Sequence, residues 1–161
     1  MTKPVEVVAI CGLVSLFSFA ADTLRPLNVK TGLWQMTETV KWTGLPEQYA
    51  ALVKDGQTIH YKSCVKAKDL NSNPWAEGSG EKCSWTAVKS DGTDMEVRGT
   101  SCRLGDQVPM TADVHGTIHV VDPENGTGTF VITITGGGQT WNGHATYTGK
   151  WMNSTCPSNM N

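Results

Sequence analysis

Four histidines, His60, His115, His119 and His144, could ligate a divalent metal or move a proton near neutral pH. Each stands on the polar side of an alternating stretch: His60 with Thr58 and Lys62, His115 and His119 with Asp113 and Thr117, His144 with Asn142 and Thr146. Such positions face water when the intervening residues are buried. In the strand pairing derived below, Val131 lies between His119 and His144. That leaves their backbones about 10 Å apart, whereas chelation wants ligand atoms about 2 Å from one ion. No metal site and no cofactor are therefore expected. Nucleophilic catalysis has no better footing, because the chain lacks a Gly-x-Ser-x-Gly elbow. Asp94, Glu96 and Asp113 offer the carboxylates of a hydrolase, yet they too occupy solvated strand positions. The expectation is a protein without catalytic residues, not an enzyme.

One carboxylate differs from these. Glu38 shares the parity of Trp34, Met36, Val40 and Trp42, so on a closed face its charge has to be paired or neutralised. There it would anchor the polar end of a ligand in an aromatic pocket; at the edge of a sheet it would reach water instead. Trp34, Trp42, Trp85, Trp141, Tyr147 and Trp151 hold inward positions of the same kind. They either fill the core or line an apolar cavity, and Gly116, Gly143 and Gly149 on the same side leave room for one. The candidate ligand-binding set is Trp34, Glu38, Trp42, Trp85, Trp141 and Tyr147.

Sulfur supplies the remaining chemistry. Lys3 precedes an apolar run over residues 5–19 that ends in Ser18-Phe19-Ala20, the pattern of a secretory signal peptide cut after Ala20. The run is short for a membrane span and no other follows, so the mature chain is expected to have no transmembrane segment. Removing residues 1–20 takes away Cys11 and leaves Cys64, Cys83, Cys102 and Cys156. An even number in an exported chain reads as two disulfides; a thiolate zinc site usually wants close Cys-x2-Cys pairs. The expected location is periplasmic or secreted. With 13 basic against 15 acidic residues and no basic cluster, nucleic acid is not a partner.

The elements that must hold these residues are strands. Apolar residues alternate with polar ones in seven runs, marked by Trp34 to Trp42, Ile59 to Val65, Trp85 and Ala87, Met95 and Val97, Met110 to Val120, Phe130 to Ile134, and Trp141 to Trp151. The 17 glycines suit a turn-rich β-protein. A three-residue loop Glu124-Asn125-Gly126 with Gly126 left-handed sets Val120 opposite Phe130, Ile118 opposite Ile132 and Gly116 opposite Ile134. A two-residue Gly137-Gly138 turn sets Ile134 opposite Trp141, Ile132 opposite Gly143 and Phe130 opposite Ala145. Near Asp91-Gly92, an odd-length loop sets Trp85 opposite Gly99. That register points Cys83 and Cys102 to opposite faces and disfavours a bond between them. Of the two pairings left, Cys64 to Cys83 with Cys102 to Cys156 closes the shorter segments. Short helices are expected over residues 46–54, begun by Pro46 and stopped by Asp55-Gly56, and over residues 67–70. Residues 71–81 read as a surface loop. The fold expected is mainly β: one domain over residues 21–161, a single antiparallel, strongly curved seven-stranded sheet or partly open barrel with one or two short helices.

Gly32-Leu33-Trp34-Gln35-Met36-Thr37, Lys62-Ser63-Cys64-Val65 before Lys68-Asp69-Leu70, and then Cys83, Cys102 and Cys156 resemble domain of unknown function 3617, a family of exported bacterial proteins. The resemblance spans residues 31–156. It departs from the usual pattern at Lys66-Ala67, where a Thr-Pro commonly starts the turn, and in a longer helical insert. The resemblance implies a small antiparallel β-fold in the cell envelope and supplies no catalytic residues. The function expected is exported, non-enzymatic binding of a lipid-like or other apolar small molecule. The alternative is a protein-interaction module, such as a hydrolase inhibitor, with an envelope protein as partner and an exposed aromatic patch around Trp75.

Overall fold

The computed structural model describes residues 24–45, 47, 56–76, 82–103, 111–136 and 138–160. The expected signal peptide lies outside them, and so does the expected helix over residues 46–54 apart from Glu47. Seven strands form one antiparallel sheet: β1 (Gly32–Thr43), β2 (Thr58–Val65), β3 (Lys82–Ser90), β4 (Asp94–Arg103), β5 (Thr111–Asp122), β6 (Asn125–Gly136) and β7 (Gln139–Asn153). Their order across the sheet is β2-β1-β7-β6-β5-β4-β3. β3 to β7 form a meander, and β1 returns to pair with β7. The sheet is not closed, since β2 and β3 are its two edges. It is nevertheless bent enough for Tyr61 of β2 and Trp85 of β3 to line one cavity. A 3-10 turn at Ala67–Asn71 stands where the second short helix is expected.

Alternation is the cause of this architecture. In β5, β6 and β7 every second residue is buried, and the intervening threonines, histidines and lysines face water. The buried set from all strands except the outer part of β2 meets on the concave side, where Trp34, Met36, Val97, Ile118, Ile132 and Ile134 are almost wholly enclosed. Residues 24–31 cap one end. Leu27 and Val29 are buried, and backbone bonds run from Leu27 N to Leu70 O at 2.9 Å, Asn28 N to Gly92 O at 2.8 Å and Lys30 N to Pro123 O at 2.9 Å.

The β6–β7 hairpin has the expected register, with Ile134 facing Trp141, Ile132 facing Gly143 and Phe130 facing Ala145. The β5–β6 hairpin does not. Val120 faces Gly126, Ile118 faces Gly128 and Gly116 faces Phe130. The reason is Asp122, whose carboxylate accepts bonds from Glu124 N at 2.7 Å and Asn125 Nδ2 at 2.9 Å, fixing the turn at Pro123-Glu124 and drawing Gly126 into the strand. The two registers differ by an even number of residues, so the same side chains stay inside.

The disulfides overturn the expected pairing. Cys64 is bonded to Cys156 and Cys83 to Cys102, with Cα separations of 5.7 and 4.0 Å. Trp85 does face Gly99, as the parity argument requires. The offset comes from a bulge near Val88 rather than from the loop, because Ser90 already pairs with Met95. A second irregularity then intervenes between Gly99 and Cys102, where Ser101 has φ 55°. This extra residue turns Cys102 inward and brings it opposite Cys83. In an unbroken strand the two sulfurs would point to opposite faces. The other bridge carries the tail across the start of β1, where a Cβ on Gly32 (φ 121°) would lie 2.3 Å from Asn153 O.

Candidate functional site

The connection from β2 to β3 has to pass from one edge of the open sheet to the other. Residues 71–76 on this path are not a surface loop: Trp75 is 2% exposed and Pro74 is fully buried. The Asn73 carboxamide oxygen accepts the Trp75 backbone N–H at 3.1 Å, a turn that aims the indole inward. Trp75 lies 5.9 Å from Trp34, tilted by 49°, and covers Gly126, where a Cβ would come within 2.5 Å of the ring. The expectation of an exposed aromatic patch around Trp75 is thereby corrected. Local order alone did not reveal this residue, because its burial depends on where the connection crosses.

Glycines and rings interlock elsewhere in the same way. Phe130 fills the space over Gly116, Trp42 that over Gly143 and Trp85 that over Gly99. The interior is consequently close to full. Among the described residues a partly enclosed cavity of about 10 Å³ is lined by Tyr61, Asn73, Trp75, Ala76, Trp85, Phe130 and Tyr147. That is room for about one water molecule. A more open recess of about 230 Å³ shares Asn73, Ala76 and Trp85 with it and is also lined by Asp69, Lys82 and Cys83.

Of the expected ligand-binding set, Trp85 and Tyr147 line the cavity. Phe130 bridges them, edge-on to Trp85 at 6.1 Å and to Tyr147 at 4.8 Å. Glu38, 4% exposed, accepts a hydrogen bond from the Tyr147 hydroxyl at 2.9 Å. It does not reach water at an edge. Burial raises its pKa above the ordinary carboxylate value, and the bond from Tyr147 partly offsets this. Trp34 reaches the cavity only through Trp75, and its own indole N–H donates to Lys30 O at 2.9 Å. Trp42 and Trp141 pack against the core and are not among the cavity's lining residues. Tyr61, Phe130 and Trp75 complete the site. The first two were legible as inward strand residues, whereas Trp75 carried no periodic signal.

Two donors stand out. The Nε1 atoms of Trp75 and Trp85 are buried and have no hydrogen-bond acceptor among the described residues. An unsatisfied buried donor costs about 1–3 kcal/mol, and both of these indoles belong to residues that border the cavity.

The histidines face outward. His115 and His144, not His119 and His144, flank Val131, because the β5–β6 register differs from the expected one. His119 Nδ1 lies 2.8 Å from Asp94 and His115 Nε2 lies 3.6 Å from Glu96, in exposed pairs of the kind that contribute about 0–1 kcal/mol. His60 Nδ1 lies 3.0 Å from the Thr37 hydroxyl. Among the described residues no three His, Cys, Asp or Glu side chains gather to hold a metal ion. No helix among them is long and apolar enough to cross a membrane.

Fold and site together define a disulfide-bonded, open antiparallel β-sheet curled over an aromatic interior, with a small cavity between its unpaired edges. The chain belongs to DUF3617, a family of proteins of unknown function, whose family model matches residues 29–156. No curated protein and no solved structure matches it.

Proposed function

We propose that the protein is an exported, non-catalytic binding protein that takes a small apolar molecule at the cleft between the two sheet edges. The observation that carries this reading is the meeting of Tyr61, Trp75, Trp85, Phe130 and Tyr147 around one cavity that shares Asn73, Ala76 and Trp85 with an open recess. Aromatic walls with few polar groups are the ordinary composition of a small-molecule site. Two disulfides support an oxidising compartment, periplasmic or extracellular, reached by a cleaved signal peptide over residues 1–20. The recess volume of about 230 Å³ favours a ring or a short chain over a whole lipid tail.

Native mass spectrometry of the protein purified from its own envelope tests this. The expected spectrum contains a co-purifying small-molecule mass. The filled interior favours a second reading, a protein-interaction module that inhibits an envelope hydrolase. A ligand-free mass together with a stoichiometric protein partner in the same preparation replaces the first reading by the second.

A further inference from the structure

The binding reading above leaves open what the ligand carries into the inner cavity. We propose that it is an uncharged hydrogen-bond acceptor, a carbonyl oxygen, on an aromatic or short aliphatic body that stays in the adjoining recess. This rests on the reading of the cleft as a ligand site, and it deepens that reading.

Three observations converge. The inner cavity, about 10 Å³, admits one small polar group and no more, so only the tip of a ligand enters. Trp75 and Trp85 border it, and each indole N–H is buried without an acceptor among the described residues. Two donors call for an acceptor. Among the described residues the lining contains no charged side chain, so a carboxylate or phosphate entering here would be desolvated with no cation from them to pair it. A carbonyl satisfies all three conditions: it is small, has two lone pairs and bears no formal charge. The recess beside it, at about 230 Å³, has room for a single ring, and its lining includes both Asp69 and Lys82, which leaves no strong preference for either sign of charge on the body.

The test uses a matched pair of probes, acetanilide with its carbonyl and N-ethylaniline with a methylene in its place, added to the oxidised protein and followed through the indole N–H resonances. Trp75→Phe and Trp85→Phe identify the two signals. The expected result is that acetanilide moves both resonances and binds roughly tenfold or more tightly than N-ethylaniline, the difference two indole hydrogen bonds provide. Equal binding of the two probes with both indole signals unmoved overturns the carbonyl proposal and leaves the apolar cleft standing. Failure of both probes to bind up to their solubility limits overturns the cleft as a small-molecule site and the proposal with it. Acetanilide binding that shifts other indoles only places the ligand elsewhere and also overturns it.

Discussion

Glu38 and Tyr147 form a buried acid–phenol pair in which burial outweighs the hydrogen bond and lifts the carboxyl pKa above its ordinary value. A raised folded-state pKa has a definite sign. Stability from this group is fully present below the unfolded pKa, near 4.5, and is lost as pH rises through the folded value. Glu38→Gln keeps an acceptor for the Tyr147 hydroxyl and removes the titration. Urea unfolding at a series of pH values from the acid range upward is expected to show the variant gaining on the parent as pH rises. A parent and variant that run parallel across the whole range would mean that Glu38 titrates normally and is solvated.

At the level of the strand, the bulge between Gly99 and Cys102 determines which sulfurs meet. Peptide mapping without reduction is expected to yield a Cys83–Cys102 fragment and a Cys64–Cys156 fragment, and a Cys64–Cys83 fragment would refute the bulge. Replacing Cys83 and Cys102 together by Ser is expected to lower unfolding stability by about 3 kcal/mol, the loop-closure value for a separation of this order, measured by denaturant titration of the oxidised protein. This strand also marks where sequence reading stops. The number of strands, the inward set and the β6–β7 register followed from alternation and a Gly-Gly turn, because both are local. The β5–β6 register turned on one Asp122 side chain that competes for the turn, and alternation is blind to shifts by even steps. The cysteine pairing turned on an added residue near Ser101, where nothing in the composition announces a break. Within the site, Phe130, Tyr61 and Trp85 were legible as inward residues. Trp75 was not, since only the edge-to-edge course of the β2–β3 connection puts it inside.

The molecule as a whole is an open sheet whose stability is unevenly distributed. β7 and β6 have partners on both sides, while β2 and β3 each have one. Native-state hydrogen exchange is expected to be slowest at inward positions of β6 and β7 and fastest along β2 and β3. Uniform protection across all seven strands would indicate that the edges are paired, with no cleft between them. The aromatic cavity lies where the two edge strands approach, so a ligand that seats there bears the entropic cost of ordering them.

The bond between Cys64 and Cys156 joins residues 92 positions apart, whereas Cys83 and Cys102 are separated by 19. A chain made from its N-terminus can close the shorter crosslink while much of it is still being synthesised. The longer one must wait until residue 156 has emerged. A product truncated before residue 156 would therefore leave Cys64 without its native partner, whereas the Cys83–Cys102 bond needs nothing beyond residue 102.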